Sequence, residues 1–282
     1  MDEVDVRPLY TAAFAVATTL AMLLVLSLGQ RRLSGDLKGG STARRLVGVG
    51  QVLAVILVAS SAVKNSVEGK DVLHDIGWVA AFGIAGVVLI AVTGHLGVRL
   101  LLRARLPAEI ERGNVAAGLA AGAHYVATGI ITSRAMAGSD LRSLGISLVF
   151  FVLGQITLHV VVSLFRALTT YDDEEQIAGE NLAAALSYAG LAIAVAIIVA
   201  RATEGDFGGW AVSLRGYGGV LLGILALYPV RQLFVQMLLL RAPLSLRGGP
   251  LDEGIAVQRS EAIGALEAAT YVATALSIAR LA

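Results

Sequence analysis

The chain has 282 residues, of which 56% are hydrophobic and only 15% are charged, whereas a soluble domain is roughly 45–50% apolar. The composition therefore argues against a soluble protein and indicates an integral membrane protein. The formal net charge of +1 argues against a nucleic-acid partner, which would require a dense basic stripe. The absence of cysteine excludes disulfides, thiolate metal sites and iron–sulfur ligation.

Stretches without Asp, Glu, Lys or Arg mark the predicted membrane helices in chain order. Six of them come close to the roughly 20 residues that a spanning helix needs. They are residues 8–30, 46–63, 76–98, 115–133, 143–165 and 181–200. Two further stretches, 216–240 and 262–279, are each interrupted by one charge, Arg231 in the first and Glu267 in the second. These also count as spans, because each charge lies inside an otherwise apolar helix. The predicted fold is an all-α bundle of eight transmembrane helices.

The distribution of basic residues predicts the orientation of the bundle. The loops that follow spans one, three, five and seven, with the adjoining helix ends, hold 13 of the 22 Lys and Arg residues. The positive-inside rule places these loops in the cytoplasm. With eight spans, both termini are then expected to lie outside. The acidic start "MDEVDVRPLY" differs from the basic start of a cleavable signal peptide.

A short motif recurs where each cytoplasmic loop turns into an even-numbered span. The clearest copies are "IERGNVAAGL" at 110–119 and "IAGENLAAAL" at 177–186, followed by "VQRSEAIGAL" at 257–266 and a faint "LKGGSTARRL" at 37–46. One column of this alignment reads Ser41, Asn114, Asn181 and Glu261. The repetition predicts four tandem helical hairpins, at residues 1–70, 71–138, 139–206 and 207–282. All four would share one orientation, unlike the halves of an inverted-repeat transporter.

The repeated column has two interpretations. An Asn or Ser at the start of a helix caps an otherwise unpaired backbone N–H, a need that is greater near hydrocarbon. Alternatively, Asn114 and Asn181 meet in a cytoplasmic vestibule that receives a solute. The Ala and Gly residues that follow them would let helix backbones approach closely.

Two loops resemble those of a known family. The segments "RLPAEIERGNVAAGLAAGAH" (105–124) and "TTYDDEEQIAGENLAAALSYAG" (169–190) are similar to the hairpin loop of the domain of unknown function 350 family. The first lacks that loop's acidic pair, and the second lacks its proline and has Glu180 in place of the usual glycine. The resemblance implies a polytopic protein of the bacterial inner membrane. It implies no catalytic residue.

Two opposite charges are predicted at the same depth in the last two spans. Arg231 lies 10 residues before Arg241, and Glu267 lies 8 residues after Arg259, which places both charges roughly 12–15 Å from the cytoplasmic edge. A lone charge there costs about 3 kcal/mol or more, so we expect Arg231 and Glu267 to pair. The pair would either fix the packing of the last hairpin or tune Glu267 as a proton- or cation-binding carboxylate. Pro229 should loosen span seven nearby.

Other polar residues are predicted at similar depth. If the even-numbered spans line one interior, a polar belt forms near the midplane from Gln51, His124, Glu267 and Tyr271. His95 and His159 occupy equivalent positions in spans three and five, where each could relay protons or form an interhelical hydrogen bond. Two equivalent histidines also suggest bis-histidine ligation of a haem as an alternative. Duplication of the hairpin alone explains their equivalence, however, and no cofactor is predicted. The acidic run "YDDEEQ" at 171–176 is interpreted as a solvated loop, with cation or polyamine recruitment as the alternative.

Three functions follow from these patterns. The favoured one is transport or channel activity for a small ion or cationic solute through the polar belt, with the lipid bilayer as surroundings. The second is a non-transporting envelope scaffold or sensor that pairs as a homo-oligomer through its Gly- and Ala-rich faces. A membrane enzyme is third, since the sequence contains no nucleophile elbow, zinc-type His-Glu-x-x-His or phosphate loop. Transport predicts a water-accessible cavity that reaches Glu267, whereas a scaffold predicts a closed interior.

Overall fold

The computed structural model describes residues 13–14, 16–24, 40–68, 71–101, 106–245 and 247–282, and the regular elements in these ranges are all helical. The helices are α1 (Thr42–Ser66), α2 (Val72–Leu101), α3 (Leu106–Arg112), α4 (Val115–Ala135), α5 (Leu141–Arg166), α6 (Asp173–Ala178), α7 (Leu182–Ala202), α8 (Trp210–Leu221), α9 (Leu227–Val230), α10 (Pro250–Ala256) and α11 (Glu261–Leu281). A 3-10 segment (Leu222–Ala226) precedes α9, and a π-helical segment (Arg231–Leu239) follows it.

Seven helical stretches in the described ranges are long and apolar enough to cross a membrane. They are α1, α2, α4, α5, α7, α11 and the composite Trp210–Leu239. These correspond to seven of the eight predicted spans, with ends shifted by a few residues. The remaining predicted span, 8–30, lies largely outside the described residues, although residues 16–24 are helical. The count of eight therefore stays a prediction.

The even-numbered predicted spans form a central row in the order α1, α4, α7 and α11, each packed against the next. In the most apolar part of each helix, 78% of the residues are buried in α4 and in α7, against 22% in α11. The odd-numbered spans α2, α5 and the composite helix pack on the outside of this row. The middle two helices therefore form the core, and α11 closes one end of the row.

Small residues allow the helices of the row to touch backbone to backbone. A Cβ added at Gly118 of α4 would lie 2.5 Å from the Cα of Ala43 in α1. One added at Gly190 of α7 would lie 2.2 Å from the Cα of Ala268 in α11. Lipid chains are as apolar as the helices, so this close packing rather than a hydrophobic force holds the row together.

The residues at the repeated polar position cap three of the four helices in the row. The side-chain oxygen of Asn114 accepts a hydrogen bond from the Ala117 amide at 3.1 Å, and that of Asn181 accepts one from the Ala183 amide at 3.0 Å. Ser41 does the same for α1. The capping interpretation is thus confirmed at these positions. Glu261 differs, because it is exposed and is itself the first residue of α11.

The same side chains tie each predicted hairpin to the next one. The Nδ2 group of Asn114 donates to the Ile177 carbonyl at 2.8 Å, and that of Asn181 donates to the Ile255 carbonyl at 2.8 Å. Both asparagines are buried, with 2% and 1% of their surface exposed. Their amides are therefore engaged in structure, which leaves the vestibule interpretation without support. These hydrogen bonds hold α6 and α10 near α3 at one end of the bundle, which is called here the short-helix end.

We expect Asn181→Ala to lower the free energy of unfolding by about 2–3 kcal/mol, because it removes a helix cap and leaves a buried carbonyl unpaired. Unfolding in mixed detergent micelles would measure the loss. Asp140→Ala is the control, since Asp140 caps α5 through the Ser143 amide at an exposed site. The loss there should be clearly smaller, and equal losses would show that the tie to Ile255 contributes nothing.

Candidate functional site

Span seven departs from α-helical geometry beside Pro229. Proline has no backbone N–H to donate, and the nine residues that follow α9, Arg231–Leu239, wind as a π-helix. This winding turns Arg231, Gln232 and Gln236 toward the interior, where all three are buried. The predicted loosening at Pro229 is therefore present. Wider helical turns of this kind are frequent at functional sites.

Arg231 lies at the centre of a buried charged cluster. Its guanidinium donates through Nε to Oε1 of Glu267 and through Nη2 to Oδ1 of Asp252 at 2.8 Å. The Arg231 and Glu267 side chains are each 1% exposed. The predicted ion pair between spans seven and eight is confirmed. The guanidinium also lies 5.6 Å from the ring centre of Tyr228, a cation–π distance.

Asp252 belongs to this cluster but was not predicted. It lies on the short helix α10, which begins with Pro250 and turns into the bundle, so that Asp252 is 2% exposed. Its second oxygen, Oδ2, accepts hydrogen bonds from the amide and the hydroxyl of Thr170, at 2.9 and 3.1 Å. The Asp252 carboxylate thus links α10 to Thr170, in the loop after α5, and to the Arg231–Glu267 pair. We call Arg231, Asp252 and Glu267 the charged cluster.

Aromatic rings surround the charged cluster. Tyr271, one turn after Glu267, is buried as predicted and interacts electrostatically with Arg231. Phe165 of α5 meets Tyr228 and Tyr271 edge to face, with ring centres 6.1 and 6.3 Å apart. These rings give the charges apolar surroundings, whose low dielectric constant strengthens the electrostatic interactions between them.

The acidic run 171–176 is only partly the solvated loop that was predicted, because Asp172 and Glu175 are exposed whereas Asp173 is buried. Asp172 caps α6 by accepting a hydrogen bond from the Glu174 amide at 2.8 Å, and this turns Asp173 inward, where it is 4% exposed. Oδ2 of Asp173 accepts a hydrogen bond from Nε of Arg166 at 2.7 Å. The Arg166 guanidinium lies 5.4 Å from the ring centre of Tyr188. Local capping therefore converts part of a polar run into a buried ion pair.

Asp173 and Tyr171 are electrostatically linked to the charged cluster. Burial raises the pKa of Asp173 to about 6; Arg166 opposes this shift, whereas the charges of Glu267 and Asp172 add to it. Burial also raises the pKa of Tyr171 well above its usual range, and the charges of Glu267 and Asp173 raise it further. The Tyr171 hydroxyl lies beside Ser187 but has no well-aligned hydrogen-bond partner among the described residues. Tyr171 therefore lies within the electrostatic influence of two buried carboxylates.

The combined charge of this region is not balanced. The carboxylates of Asp173, Asp252 and Glu267 outnumber the guanidinium groups of Arg166 and Arg231 by one. In the described part of the chain, Oε2 of Glu267 and Nη1 of Arg231 are buried without a hydrogen-bond partner. An uncompensated charge in a dry interior is costly unless something neutralises it. The arrangement therefore has the capacity to bind one positive charge.

Two of the predicted histidines, His124 and His159, contact each other. His124 of α4 is fully buried, and its ring meets that of His159 of α5 edge to face at 5.5 Å between ring centres. His159 bonds through Nδ1 to the Gln155 carbonyl at 2.7 Å. This ring contact joins His124 to His159, whereas the bis-histidine haem interpretation concerned His95 and His159 and stays a prediction. Gln51 lies beside the Tyr125 hydroxyl, and the His95 side chain lies outside the described part. Gln51 and His124 thus contact Tyr125 and His159, respectively, and the single polar belt stays a prediction.

The model of the family described as Domain of Unknown Function (DUF350) matches residues 7–136 and 139–281. The chain belongs to the DUF350 family. It is also similar to a UPF0719 transmembrane protein of Aquifex aeolicus (strain VF5), with 29% identity over 129 residues, 43% of this chain and 48% of the relative. The chain thus spans about half the length of that relative. No solved structure matches. Together with its apolar helices, these findings identify a polytopic membrane protein of the DUF350 family.

Proposed function

We propose that this DUF350 protein moves a small cation across the bacterial inner membrane, with the charged cluster as its selective site. The supporting observation is the excess carboxylate charge, which includes the unpartnered Oε2 atom of Glu267. A pair that served only to fix helix packing would be stable when balanced, because an unpaired buried charge destabilises the fold. A cation that enters and leaves the cluster would neutralise this excess.

The closed surroundings of the cluster favour a very small cargo. Glu267 and Arg231 are each 1% exposed, so the water-accessible cavity that transport predicts does not reach them in this conformation, and the closed interior is the one that a scaffold predicts. A cavity of about 780 Å³ does open at the other end of the bundle. Its lining includes the basic residues Lys64, Arg134 and Arg201, which lie in the last turns of α1, α4 and α7, and the acidic residues Glu204 and Asp206. This cavity would connect the outer surface to the interior.

The proposed orientation places the short-helix end in the cytoplasm, with eight spans in four hairpins and both termini outside. The distribution of basic residues supports it, because the loops after spans one, three, five and seven, with the adjoining helix ends, hold 13 of the 22 Lys and Arg residues. Basic residues concentrate on the cytoplasmic side of membrane proteins. The charged cluster would then exchange its cation with the cytoplasm.

Cation flux into liposomes that contain the purified protein tests the proposal. Glu267→Gln keeps the shape of the side chain but removes the charge, so we expect it to lower the initial rate about tenfold or more. Glu261→Gln is the matched control, because Glu261 lies on the same helix but is exposed. It should retain the native rate. Equal rates for native protein and Glu267→Gln, or no flux in native protein, would contradict the proposal.

A non-transporting scaffold or sensor is the second candidate, and the surface of α11 favours it. The mean hydropathy of α11 is 1.4, the same as that of α4, yet 22% of its apolar segment is buried against 78% for α4. Its exposed face carries Ala262, Ala265, Ala269 and Ala273. Small residues are typical of helix contacts in membranes, so a second copy of the chain would suit this face. Native protein without any flux would favour this candidate.

A further inference from the structure

We infer that the cavity at the end of the bundle opposite the short-helix end binds an anionic phospholipid, with the phosphate at its mouth and an acyl chain along its wall. The cavity measures about 780 Å³, a volume within the range of pockets that hold a small ligand. None of the three residues of the charged cluster lines it. The lipid site is therefore separate from the proposed cation site and goes beyond the proposed function.

Basic side chains from three neighbouring helices meet at the mouth of this cavity. Lys64, Arg134 and Arg201 lie in the last turns of α1, α4 and α7, and all three line the cavity. Trp210, which is half-exposed, begins α8 at the same end of the bundle. Exposed tryptophans at helix ends are typical of the depth at which lipid headgroups lie. The basic mouth is therefore placed where it would meet phosphate groups.

The cations at the mouth retain hydrogen-bond donors for a phosphate. Arg134 and Arg201 each use Nη1 to contact the Glu204 carboxylate, which lies between them. A guanidinium has five N–H donors, so both arginines keep most of theirs. Lys64 has no ion-pair partner among the described residues. With Asp206 as the second acidic residue, the lining holds one more basic than acidic side chain, which matches the single charge of a phosphodiester.

The wall below the mouth is apolar and belongs to two membrane helices. Ile146 and Phe150 come from α5, and Val212 and Val220 come from α8. Val220 lies ten residues after Trp210, the first residue of α8, so the wall extends about 15 Å along the helix at roughly 1.5 Å per residue. A soluble phosphate would need only the mouth, whereas the upper part of an acyl chain would also contact this wall.

Aromatic rings give the wall a defined shape. Both α5 and α8 pack on α7, and Phe150 of α5 bridges to α8. Its ring stacks on Trp210, with the ring centres 6.3 Å apart, and is tilted against Tyr217 at 6.2 Å. The Tyr217 hydroxyl in turn lies 2.8 Å from Oγ1 of Thr157 on α5. A lipid in the cavity would therefore meet a fixed apolar surface. Its phosphate would also offset the positive charge that a transported cation would meet at the mouth.

Native mass spectrometry of the delipidated full-length protein in detergent, with added dioleoylphosphatidylglycerol, tests the basic mouth. Native protein should bind one such lipid, and Lys64→Gln should raise its Kd about fivefold. Arg142→Gln is the matched control, because Arg142 is exposed in the first turn of α5 at the same end but does not line the cavity. It should keep the native Kd. Dioleoylphosphatidylethanolamine, whose ammonium group cancels the phosphate charge, should bind more weakly to native protein.

Replacing Gly216 with phenylalanine tests the apolar wall. Gly216 lines the cavity, and a Cβ there meets nothing within 4 Å, so the ring would occupy the cavity without displacing the backbone. Gly218→Phe is the control, since a Cβ at Gly218 also meets nothing within 4 Å but the residue lies outside the lining. Gly216→Phe should lose most of the phosphatidylglycerol binding, and Gly218→Phe should retain it. Thermal unfolding should show that both variants are folded.

Three results would overturn the inference. They are equal Kd values for native protein and Lys64→Gln, equal binding by Gly216→Phe and Gly218→Phe, and equal binding of the two lipids by native protein. Inorganic phosphate that displaces phosphatidylglycerol at similar concentrations would also overturn it, because it would assign the mouth to a soluble anion. The measurement requires no transport, so a failure of the flux experiment and a failure of lipid binding are distinguishable.

Discussion

Replacing Arg231 with methionine is expected to lower the free energy of unfolding by roughly 3–5 kcal/mol, because it leaves buried carboxylates without their cation. Two such groups, Glu267 and Asp252, depend on this one guanidinium. Methionine fills a similar volume, so the loss would report charge rather than packing. Equilibrium unfolding in detergent micelles, followed by circular dichroism, would measure it.

Two comparisons make this prediction specific. Arg215→Met changes an exposed arginine of α8, and its effect should stay within about 0.5 kcal/mol. The triple variant Arg231→Met, Asp252→Asn, Glu267→Gln removes all three charges and should recover most of the stability. If Arg231→Met were no more damaging than Arg215→Met, the charged cluster would contribute nothing to the fold.

Replacing Gly118 with leucine is expected to cost about 3 kcal/mol or more, at or above the upper end of overpacking effects. A Cβ at this position would lie 2.5 Å from the backbone of Ala43, so α4 must move away from α1 or the side chain cannot fit. Thermal unfolding in detergent, together with the yield of monodisperse protein, would show the loss.

Gly145→Leu is the matched control for this substitution. Gly145 also lies in a membrane helix, α5, but a Cβ there meets nothing within 4 Å. Leucine has a higher helix propensity than glycine, so this variant should be as stable as the native protein or more stable. Equal stability of Gly118→Leu and Gly145→Leu would contradict the backbone contact between α1 and α4.

The spans and their caps could be predicted because membrane physics leaves few alternatives. Backbone groups in lipid must be paired within a helix, so five charge-free stretches and two stretches with a single charge predicted the seven spans that the structure contains. The Arg231–Glu267 pair could be predicted for a related reason, since unpaired charges at equal depth are costly. Capping by Asn114 and Asn181 followed from the chemistry of the amide side chain.

The acidic partners in the loops could not be predicted in the same way. Asp252 follows Pro250 and precedes Glu253, a pattern typical of an exposed helix start. Asp173 lies in a run of four acidic residues, which hydropathy assigns to solvent. Both are buried because the short helices fold back into the bundle, and this depends on contacts between hairpins. Ile177 and Ile255 lie in these short helices, and the structure buries both. An isoleucine within a polar loop is the signal in the sequence that such a helix packs against the bundle.

The central claim is that the excess carboxylate charge carries an exchangeable cation. Its most direct test is the uptake of protons and of sodium ions, followed separately in liposomes under an imposed potassium diffusion potential, with native protein and Glu267→Gln compared in parallel. We expect one of these ions to enter native liposomes faster than protein-free liposomes, and Glu267→Gln liposomes to match the protein-free rate. Uptake at the same rate in native and Glu267→Gln liposomes would contradict the claim.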